Sequence, residues 1–345
     1  MKIVILDSGT LGADIDLEPI RALGDVIEYK QTLPGEIAER LTDADVAVLN
    51  KCKLNRENLA DAKNLKLICV AATGYDNIDL TFCRERGIAL CNVPGYSTDS
   101  VAQLSVSMAL SLVTHLDEFR GFVHSGEYSR SGSANRLEPV YHEVAGQTWG
   151  VVGGGGIGSK VAEIAKALGC RVLLCRRKPE DRYEAADIDR ICRECDIISL
   201  HVPLTDETRG MISRERIDLM KDGVVIVNTS RGGLIDTESL INGIKVEIIG
   251  AACLDVYEEE GDLFYEDFSG QIIQDDRLVR LIAMPNVLVT SHQAYLTAEA
   301  LDNIAATTVD NLLRFAQGDG NSDTEVCYGC GKQETCSKKR NAKCF

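Results

Sequence analysis

A glycine-rich turn follows an apolar strand near the middle of the chain. The apolar run Gly150–Val152 leads into Gly153-Gly154-Gly155-Gly156-Ile157-Gly158, and a helical sequence follows. In this Gly-x-Gly-x-x-Gly pattern Gly153 permits a tight turn, Gly155 lets backbone N–H groups approach a phosphate, and Gly158 lets the helix pack closely on the strand. The pattern therefore predicts a site for the pyrophosphate of a dinucleotide, with a glycine-rich surface loop as the alternative.

Three polar residues in the second half of the chain each come shortly after an apolar segment: Arg231, Glu260 and His292. Ligands of an open parallel sheet bind at the carboxyl ends of its strands, so these residues are expected at one edge. A guanidinium can grip a carboxylate and polarise the adjacent carbonyl group. An imidazolium beside a glutamate can protonate the carbonyl oxygen as a hydride reaches carbon. Together they fit reduction of a 2-oxo acid, whereas singly each could be an ordinary loop or surface residue.

Short apolar strands alternate with helical segments in both halves of the chain, which predicts an α/β fold with parallel sheets covered on both faces. The predicted strands are Ile3–Leu6, Val26–Tyr29, Val46–Leu49, Leu67–Val70, Ile88–Cys91, Gly150–Val152, Val172–Cys175, Ile197–Leu200, Val224–Asn228, Ile248–Leu254 and Val287–Thr290. One long helix is expected from Asp99 to about His124, and another from about Thr297 to Phe315. The acidic segment 258–280 is poorly periodic and is expected to be an excursion rather than part of the core.

Composition narrows the class of protein. A chain of 345 residues with 45% hydrophobic residues can bury two ordinary cores, so two domains are expected. The net charge of −16 disfavours nucleic acids and anionic membranes as partners. No apolar run reaches the length of a bilayer span. With 13 cysteines and no recognisable export signal, a cytoplasmic protein with reduced thiols is expected.

Three consecutive cations, Arg176-Arg177-Lys178, follow the second strand of the predicted dinucleotide-binding unit. Selectivity for NAD needs a carboxylate at this strand end, where it accepts hydrogen bonds from the ribose hydroxyls. Guanidinium groups suit the 2′-phosphate of NADP better than they suit a pair of hydroxyls. The sequence thus favours NADPH through Arg176 and Arg177, and the alternative is a solvated basic turn in a protein that uses NAD.

The last nineteen residues contain four cysteines after a linker-like segment, Gln317–Asp323. They are spaced Cys327-x2-Cys330-x5-Cys336-x7-Cys344. Four thiolates with a leading Cys-x-x-Cys are the ligand set of tetrahedral zinc or of an iron–sulfur cluster. A tail with free thiols is the alternative. A second Cys-x-x-Cys, Cys192 and Cys195, precedes a buried strand without other ligands nearby, and core packing is expected there.

Several ordered motifs carry a family resemblance over roughly residues 1 to 318. They are Ala72–Asp79 (ATGYDNID), Asn92–Ser97 (NVPGYS), the glycine turn, His201–Thr205 (HVPLT), Asn228–Gly232 (NTSRG) and Leu254–Tyr257 (LDVY). With these motifs the chain resembles the D-isomer-specific 2-hydroxyacid dehydrogenases. The resemblance implies two doubly wound parallel-sheet α/β domains, a flavodoxin-like substrate domain and a Rossmann dinucleotide-binding domain, with an interdomain cleft. It also implies a homodimer.

The resemblance assigns roles to individual positions. Arg231, Glu260 and His292 match the catalytic triad of that family, with His292 as acid and base, Glu260 as its partner and Arg231 as the substrate clamp. The implied substrate contacts are Thr73, Gly74, Tyr96 and Arg231. The implied cofactor contacts are Gly153, Gly155, Ile157, Gly158, Val202, Pro203, Thr229, Ser230 and Asp255, of which Asp255 would meet the nicotinamide carboxamide.

The expected domains are 1–98 with 293–318 for substrate, 99–292 for the dinucleotide, and 319–345 as a cysteine-rich tail. The first half most resembles glycerate dehydrogenases and hydroxypyruvate reductases, whereas the second half resembles D-lactate dehydrogenases, so the 2-oxo acid stays open. The expected activity is reduction of a small 2-oxo acid to the D-2-hydroxy acid with NADH or NADPH. The alternatives are a nucleotide-responsive sensor that uses its cysteine tail as a switch, and an iron–sulfur tail that feeds electrons to the nicotinamide site.

Overall fold

The computed structural model describes residues 1–12, 15–133, 135–177, 181–260, 272–318 and 323–326. Its strands are β1 (Lys2–Ile5), β2 (Asp25–Glu28), β3 (Val46–Leu49), β4 (Leu67–Val70), β5 (Ala89–Cys91), β6 (Thr148–Val152), β7 (Arg171–Cys175), β8 (Glu184–Ala185), β9 (Ile197–Leu200), β10 (Val224–Asn228), β11 (Ile249–Leu254) and β12 (Val287–Val289). Its α-helices are α1 (Glu18–Arg21), α2 (Ile37–Leu41), α3 (Arg56–Leu59), α4 (Leu80–Arg86), α5 (Thr98–Val113), α6 (Leu116–His124), α7 (Glu127–Arg130), α8 (Gly156–Ala167), α9 (Ile188–Glu194), α10 (Arg214–Ile217), α11 (Thr237–Lys245), α12 (Asp276–Ala283) and α13 (Ala298–Gln317).

The chain divides into two compact units. One unit contains Met1–Tyr96 and the described residues from Leu296 onward, and the other contains Ser97–Tyr295. The first unit holds a five-stranded parallel sheet in the order β2-β1-β3-β4-β5. All residues of β3 and β4 are buried, because helices cover both faces of a doubly wound sheet and its strands must be apolar throughout.

The second unit holds a seven-stranded parallel sheet in the order β12-β11-β10-β9-β6-β7-β8. Its central strands β6, β9 and β10 are buried at every position. The order of strands reverses between β6 and β9, and such a switch point opens a crevice at the carboxyl ends of the strands. The prediction of two doubly wound α/β units is confirmed. No helix in the described part of the chain is long and apolar enough to cross a membrane.

Two sequence-based expectations about helices are wrong. The single helix expected from Asp99 to about His124 is two helices, because His115 adopts a left-handed backbone conformation with φ of 50° between α5 and α6. The apolar spacing continues across this break, so periodicity could not detect it. In addition, the C-terminal part of segment 258–280 is not an excursion from the core, because it forms the first residues of helix α12. Leu278 and Leu281 of this helix are buried in the core beside β11 and β12.

The residues that precede the cysteine cluster pair with the exposed edge of the first sheet. The N–H of Asn92 donates to the carbonyl of Thr324 at 3.0 Å, and the N–H of Val326 donates to that of Leu90 at 2.8 Å. Val326 is 6% exposed and packs in the core of the first unit. This short antiparallel pairing covers edge strand β5, whose unpaired backbone groups would otherwise invite association. Cys327, Cys330, Cys336 and Cys344 lie outside the described residues.

The nine described cysteines are free thiols. Cys192 and Cys195 are fully buried in the core of the second unit, as expected from their sequence context. Burial raises the pKa of Cys192 to about 11 and that of Cys195 to about 12. Both therefore stay protonated and inert at neutral pH. Within the described ranges, no group of three or more His, Cys, Asp and Glu residues could hold a metal ion.

Candidate active site

The glycine turn joins β6 to the N-terminus of α8 at the switch point of the second sheet. A side-chain carbon on Gly158 would lie 1.8 Å from the carbonyl oxygen of Gly153, so helix and turn meet at a distance that only glycine allows. Gly153 has φ of 110° and faces the carbonyl of His201. Apart from its own chain neighbours, no described residue lies within 4 Å of a side-chain carbon placed on Gly155, and no side chain of the described residues caps the helix there. The free N–H groups of α8 therefore face open space suited to a pyrophosphate.

The cationic side chain of Arg176 lies across this turn. A side-chain carbon on Gly154 would come within 2.8 Å of Cδ and 3.0 Å of Nε of Arg176. Arg176 is half-buried and Arg177 is exposed, and both directly follow β7. The second strand of this unit thus ends in arginines where NAD-selective sites place a carboxylate.

Other predicted cofactor residues converge on the same edge. A methyl group of Val202 would lie 3.0 Å from a side-chain carbon on Gly153. The hydroxyl of Ser230 donates to the carbonyl of Val202 at 2.6 Å, and the hydroxyls of Thr229 and Ser105 are 2.7 Å apart. The loops after β6, β9 and β10 therefore form one continuous wall. Pro203 extends the loop after β9, and Ile157 lies in the first turn of α8.

Glu260 and His292 form a hydrogen-bonded pair. Oε1 of Glu260 lies 2.7 Å from Nδ1 of His292, and the two side chains are 16% and 20% exposed. The other carboxylate oxygen, Oε2, accepts a hydrogen bond of 3.1 Å from the backbone N–H of Tyr257. With both oxygens engaged, the carboxylate holds the imidazole by Nδ1 and leaves Nε2 as the ring nitrogen for proton transfer.

The backbone of His292 is held in a left-handed conformation, with φ of 53°. Its N–H donates to the carbonyl of Asp255 at 2.7 Å. The fully buried carboxylate of Asp255 accepts hydrogen bonds from the hydroxyl of Thr290 (2.5 Å) and from the N–H groups of Gln293 (2.9 Å) and Ala294 (2.9 Å). Asp255 therefore fixes the loop that presents His292. Its expected contact with the nicotinamide carboxamide stays a prediction.

Arg231 sits in the loop after β10, against the turn that carries Glu260. Its carbonyl accepts from the amide of Asn228 at 2.8 Å, which closes the loop. The adjacent Gly232 packs on the Tyr257–Glu258 peptide so closely that a side-chain carbon would lie 2.0 Å from the carbonyl carbon of Tyr257. The loop of Arg231 therefore contacts the turn that carries Glu260, and this turn contacts the loop of His292. This is the arrangement that the sequence predicts for strand ends of one sheet.

His201 is a buried imidazole beside the glycine turn. Its Nε2 has no hydrogen-bond partner among the described residues, and burial lowers its pKa to about 4. It is therefore neutral at physiological pH and contributes no charge to the dinucleotide site. No role beyond its motif is predicted for His201 from the sequence.

The predicted substrate residues Thr73, Gly74 and Tyr96 belong to the first unit. The loop after β4 is fixed by the hydroxyl of Thr73, which donates to the carbonyl of Val93 at 2.8 Å, and by the amide of Asn92, which donates to the carbonyl of Thr73 at 2.8 Å. These bonds leave the N–H groups of this loop at the carboxyl edge of the five-stranded sheet.

Sequence reasoning missed the residues that hold the triad. Asp255 was assigned to the cofactor alone, and Tyr257 and Asp275 were assigned no role. The available signal was positional: Asp255 directly follows the apolar strand β11, and a carboxylate buried there needs several hydrogen-bond donors.

The chain matches known proteins over most of its length. The family model described as D-isomer specific 2-hydroxyacid dehydrogenase, NAD binding domain, matches residues 106–294. The chain is 40% identical over 261 residues to D-lactate dehydrogenase kk1H of Curvularia clavata, covering 74% of this chain and 73% of that protein. It is 33% identical to a glycerate dehydrogenase of Methylorubrum extorquens, covering 92% of this chain and 96% of that one.

A solved structure gives the same result. The crystal structure of D-lactate dehydrogenase from Aquifex aeolicus, complexed with NAD and lactic acid, superposes with a TM-score of 0.82 at 31% identity and covers 92% of this chain and 96% of its own. The family match spans the glycine turn and all three loops of the triad. This protein is accordingly an oxidoreductase that belongs to the D-isomer specific 2-hydroxyacid dehydrogenase family.

Proposed function

We propose that the protein reduces a small 2-oxo acid to the D-2-hydroxy acid, with NADPH or NADH as hydride donor. The observation that carries the proposal is the Glu260–His292 pair, 2.7 Å between Oε1 and Nδ1, in a loop cluster that also contains Arg231. An acid–base pair of this kind is what proton delivery to a carbonyl oxygen requires. The neighbouring glycine turn fits the pyrophosphate of the hydride donor.

Each residue has a distinct role in this proposal. In the second unit, Arg231 binds the substrate carboxylate and polarises the 2-oxo group. In the first unit, Thr73, Gly74 and Tyr96 are the proposed substrate contacts. The bound nicotinamide supplies a hydride to C2. His292 gives its Nε2 proton to the carbonyl oxygen and becomes neutral, and the carboxylate of Glu260 holds the ring by Nδ1 during the transfer.

The experiment that tests the proposal is a panel of 2-oxo acids assayed with both reduced cofactors. Pyruvate, hydroxypyruvate and phenylpyruvate differ in the size and polarity of the group at C3, so their kcat/KM values report the pocket. Chiral chromatography should identify the D-enantiomer as product. Tight cofactor binding without turnover of any of them would instead favour the sensor alternative, which gains no support from the relatives described above.

We propose that NADPH is used at least as well as NADH, because Arg176 lies against the glycine turn and the two positions directly after β7, 176 and 177, are arginines rather than a carboxylate. Arg176→Asp is expected to shift the ratio of kcat/KM for NADPH over NADH toward NADH by about 10- to 100-fold, since a hydrogen bond to a charged group contributes about 1.5–3 kcal/mol. Steady-state kinetics with both cofactors measures the ratio. Arg193→Asp, which changes the charge of an exposed arginine on α9, is the control. A strong preference of the unaltered protein for NADH would contradict the proposal.

We propose a homodimer that forms through an arm, defined here as residues 116–141. Six large apolar residues of this arm are exposed: Leu116, Val123, Tyr128, Leu137, Val140 and Tyr141. Leu137 and Val140 are 77% and 80% exposed, and clustered exposure of this kind is typical of an interaction surface. Sedimentation should give twice the mass of one chain, and Leu137→Asp combined with Val140→Asp should give monomers.

The remaining proposals concern the tail, the domains and the location. Four thiolates at Cys327, Cys330, Cys336 and Cys344 would suit zinc or an iron–sulfur cluster; elemental analysis and the absorption spectrum of anaerobically purified protein decide between metal and free thiols.

We assign residues 1–98 with 293–318 to substrate binding and 99–292 to the dinucleotide. A cytoplasmic location is proposed from the free thiols of the described cysteines.

A further inference from the structure

Glu260 is presented by a tight turn that begins at Tyr257. The N–H of Glu260 donates to the carbonyl of Tyr257 at 3.3 Å, and the N–H of Tyr257 donates back to Oε2 of Glu260 at 3.1 Å. The turn therefore closes on itself through both ends. Whatever fixes Tyr257 also fixes the carboxylate that contacts His292.

Tyr257 is fixed by a hydrogen bond to a helix outside the triad loops. Its ring is buried, with 3% of the residue exposed, and its hydroxyl donates to Oδ2 of Asp275 at 2.7 Å. Oδ1 of Asp275 accepts from the N–H groups of Arg277 (2.9 Å) and Leu278 (3.1 Å), so the same carboxylate caps the N-terminus of α12. One buried phenol thus ties the turn to the first turn of α12.

The two groups of the Tyr257–Asp275 hydrogen bond keep the same protonation states around neutral pH. Burial, together with the hydrogen bond to Asp275, raises the pKa of the Tyr257 phenol. Burial opposes ionisation of Asp275, but hydrogen bonds from Tyr257 and from the backbone of α12 outweigh it and lower the pKa of that carboxyl. The phenol remains a donor and the carboxylate an acceptor throughout the range in which a dehydrogenase is assayed.

Two weaker contacts reinforce the tie. Arg277 of α12 lies 3.7 Å from a carboxylate oxygen of Glu258 and 3.7 Å from one of Glu259. These groups are about a third exposed or more, and ion pairs of that kind contribute little. Leu278 and Leu281 anchor α12 in the core, so the helix provides a rigid support. The half-buried Tyr257–Asp275 hydrogen bond is therefore the principal link.

We propose that Tyr257 is a positioning residue for proton transfer: through its hydrogen bond to Asp275 it holds Glu260 against His292. The inference rests on the proposed function, in which Glu260 and His292 form the acid–base pair. Among the described residues, the charged groups near the turn include Glu258 and Glu259 within it, Asp275 and Arg277 at the start of α12, Arg231 in the loop that packs against it, and Asp255 and His292 on the loops after β11 and β12. Among these groups, His292 is the one that the carboxylate of Glu260 orients through a hydrogen bond.

The test is Tyr257→Phe, which removes one hydroxyl and keeps the buried ring. We expect kcat for 2-oxo acid reduction to fall about 10-fold, less than the roughly 10²-fold cost of a 1 Å misplacement, with KM for the cofactor unchanged. The pH profile of kcat/KM should also differ from that of the unaltered protein, because Glu260 is less well held against His292. Tyr183→Phe is the matched control and should change neither, because Tyr183 lies directly before β8 with its ring beside Lys166 of α8.

The same substitution in a Glu260→Gln background separates positioning from a general structural effect. If Tyr257 acts through Glu260, the double variant should have the kcat and the pH profile of Glu260→Gln alone. Additive losses, or a Tyr257→Phe variant that matches the unaltered protein in kcat and pH profile, would overturn the inference. If Glu260→Gln and His292→Asn themselves retain full turnover, the proposed function fails instead, so the two failures are distinct.

Discussion

Replacing His292 with asparagine is expected to lower kcat for 2-oxo acid reduction by about 10²–10⁴-fold, the range that general acid–base catalysis contributes. Asparagine is the informative substitution because His292 has φ of 53°, and asparagine tolerates this left-handed conformation better than alanine does. The loop held by Asp255 should therefore keep its shape, while the group that carries the proton is lost. Stopped-flow and steady-state kinetics with the best 2-oxo acid measure the effect.

The chain offers a matched control for this variant. His115 also has a left-handed backbone, with φ of 50°, and its Nδ1 lies 3.0 Å from a carboxylate oxygen of Glu118. His115→Asn thus removes another histidine–glutamate pair at a position outside the triad, and kcat should not change. Cofactor affinity should be the same in both variants, since the glycine turn is untouched. A His292→Asn variant within tenfold of the unaltered kcat would refute the assignment of His292 as the acid.

The sheets could be predicted because their strands are short, continuous apolar runs. Strands β3, β4, β9 and β10 match the predicted bounds, since every residue in them is buried and all but Ser199 of β9 and Asn228 of β10 are apolar. The positions of Arg231, Glu260 and His292 at one edge of the second sheet could be predicted because each follows an apolar strand, β10, β11 or β12, and parallel strands deliver their ends to one edge. Their catalytic roles stay predictions. These three residues could be chosen from the chemistry of their side chains and from their order in the chain.

The supports of the triad could not be predicted, because they depend on distances between segments far apart in sequence. Asp255 accepts from residues 35 to 39 positions later, and Tyr257 reaches Asp275 across 18 positions. A buried carboxylate and a surface one look alike in sequence, and only the fold shows which donors surround each. The edge pairing of Val326 with Leu90 was hidden similarly, since composition indicated only a linker and a tail.

Gly232→Ala is expected to lower kcat/KM by at least about 100-fold while leaving cofactor affinity nearly unchanged. A side-chain carbon at this position would lie 2.0 Å from the carbonyl carbon of Tyr257, 2.1 Å from its oxygen and 2.3 Å from the nitrogen of Glu258. All three atoms are backbone, so no side-chain rotation relieves the overlap, and either the Arg231 loop or the Glu260 turn must move. A shift of about 1 Å in a catalytic group costs roughly 10²-fold in rate.

The measurements for Gly232→Ala must separate misplacement of the triad from loss of the fold. Gly35→Ala is the control for an added methyl group, because nothing lies within 4 Å of that position and its stability and kinetics should match the unaltered protein. Fluorescence titration with reduced cofactor reports the glycine turn, and a thermal melt reports the fold. Gly232 lies in the loop after β10 and contacts the turn of Glu260 rather than the glycine turn. The variant should therefore fold and bind cofactor but fail in catalysis. Full activity in a folded variant would mean that contact between the Arg231 loop and the Tyr257–Glu260 turn is irrelevant to the chemistry.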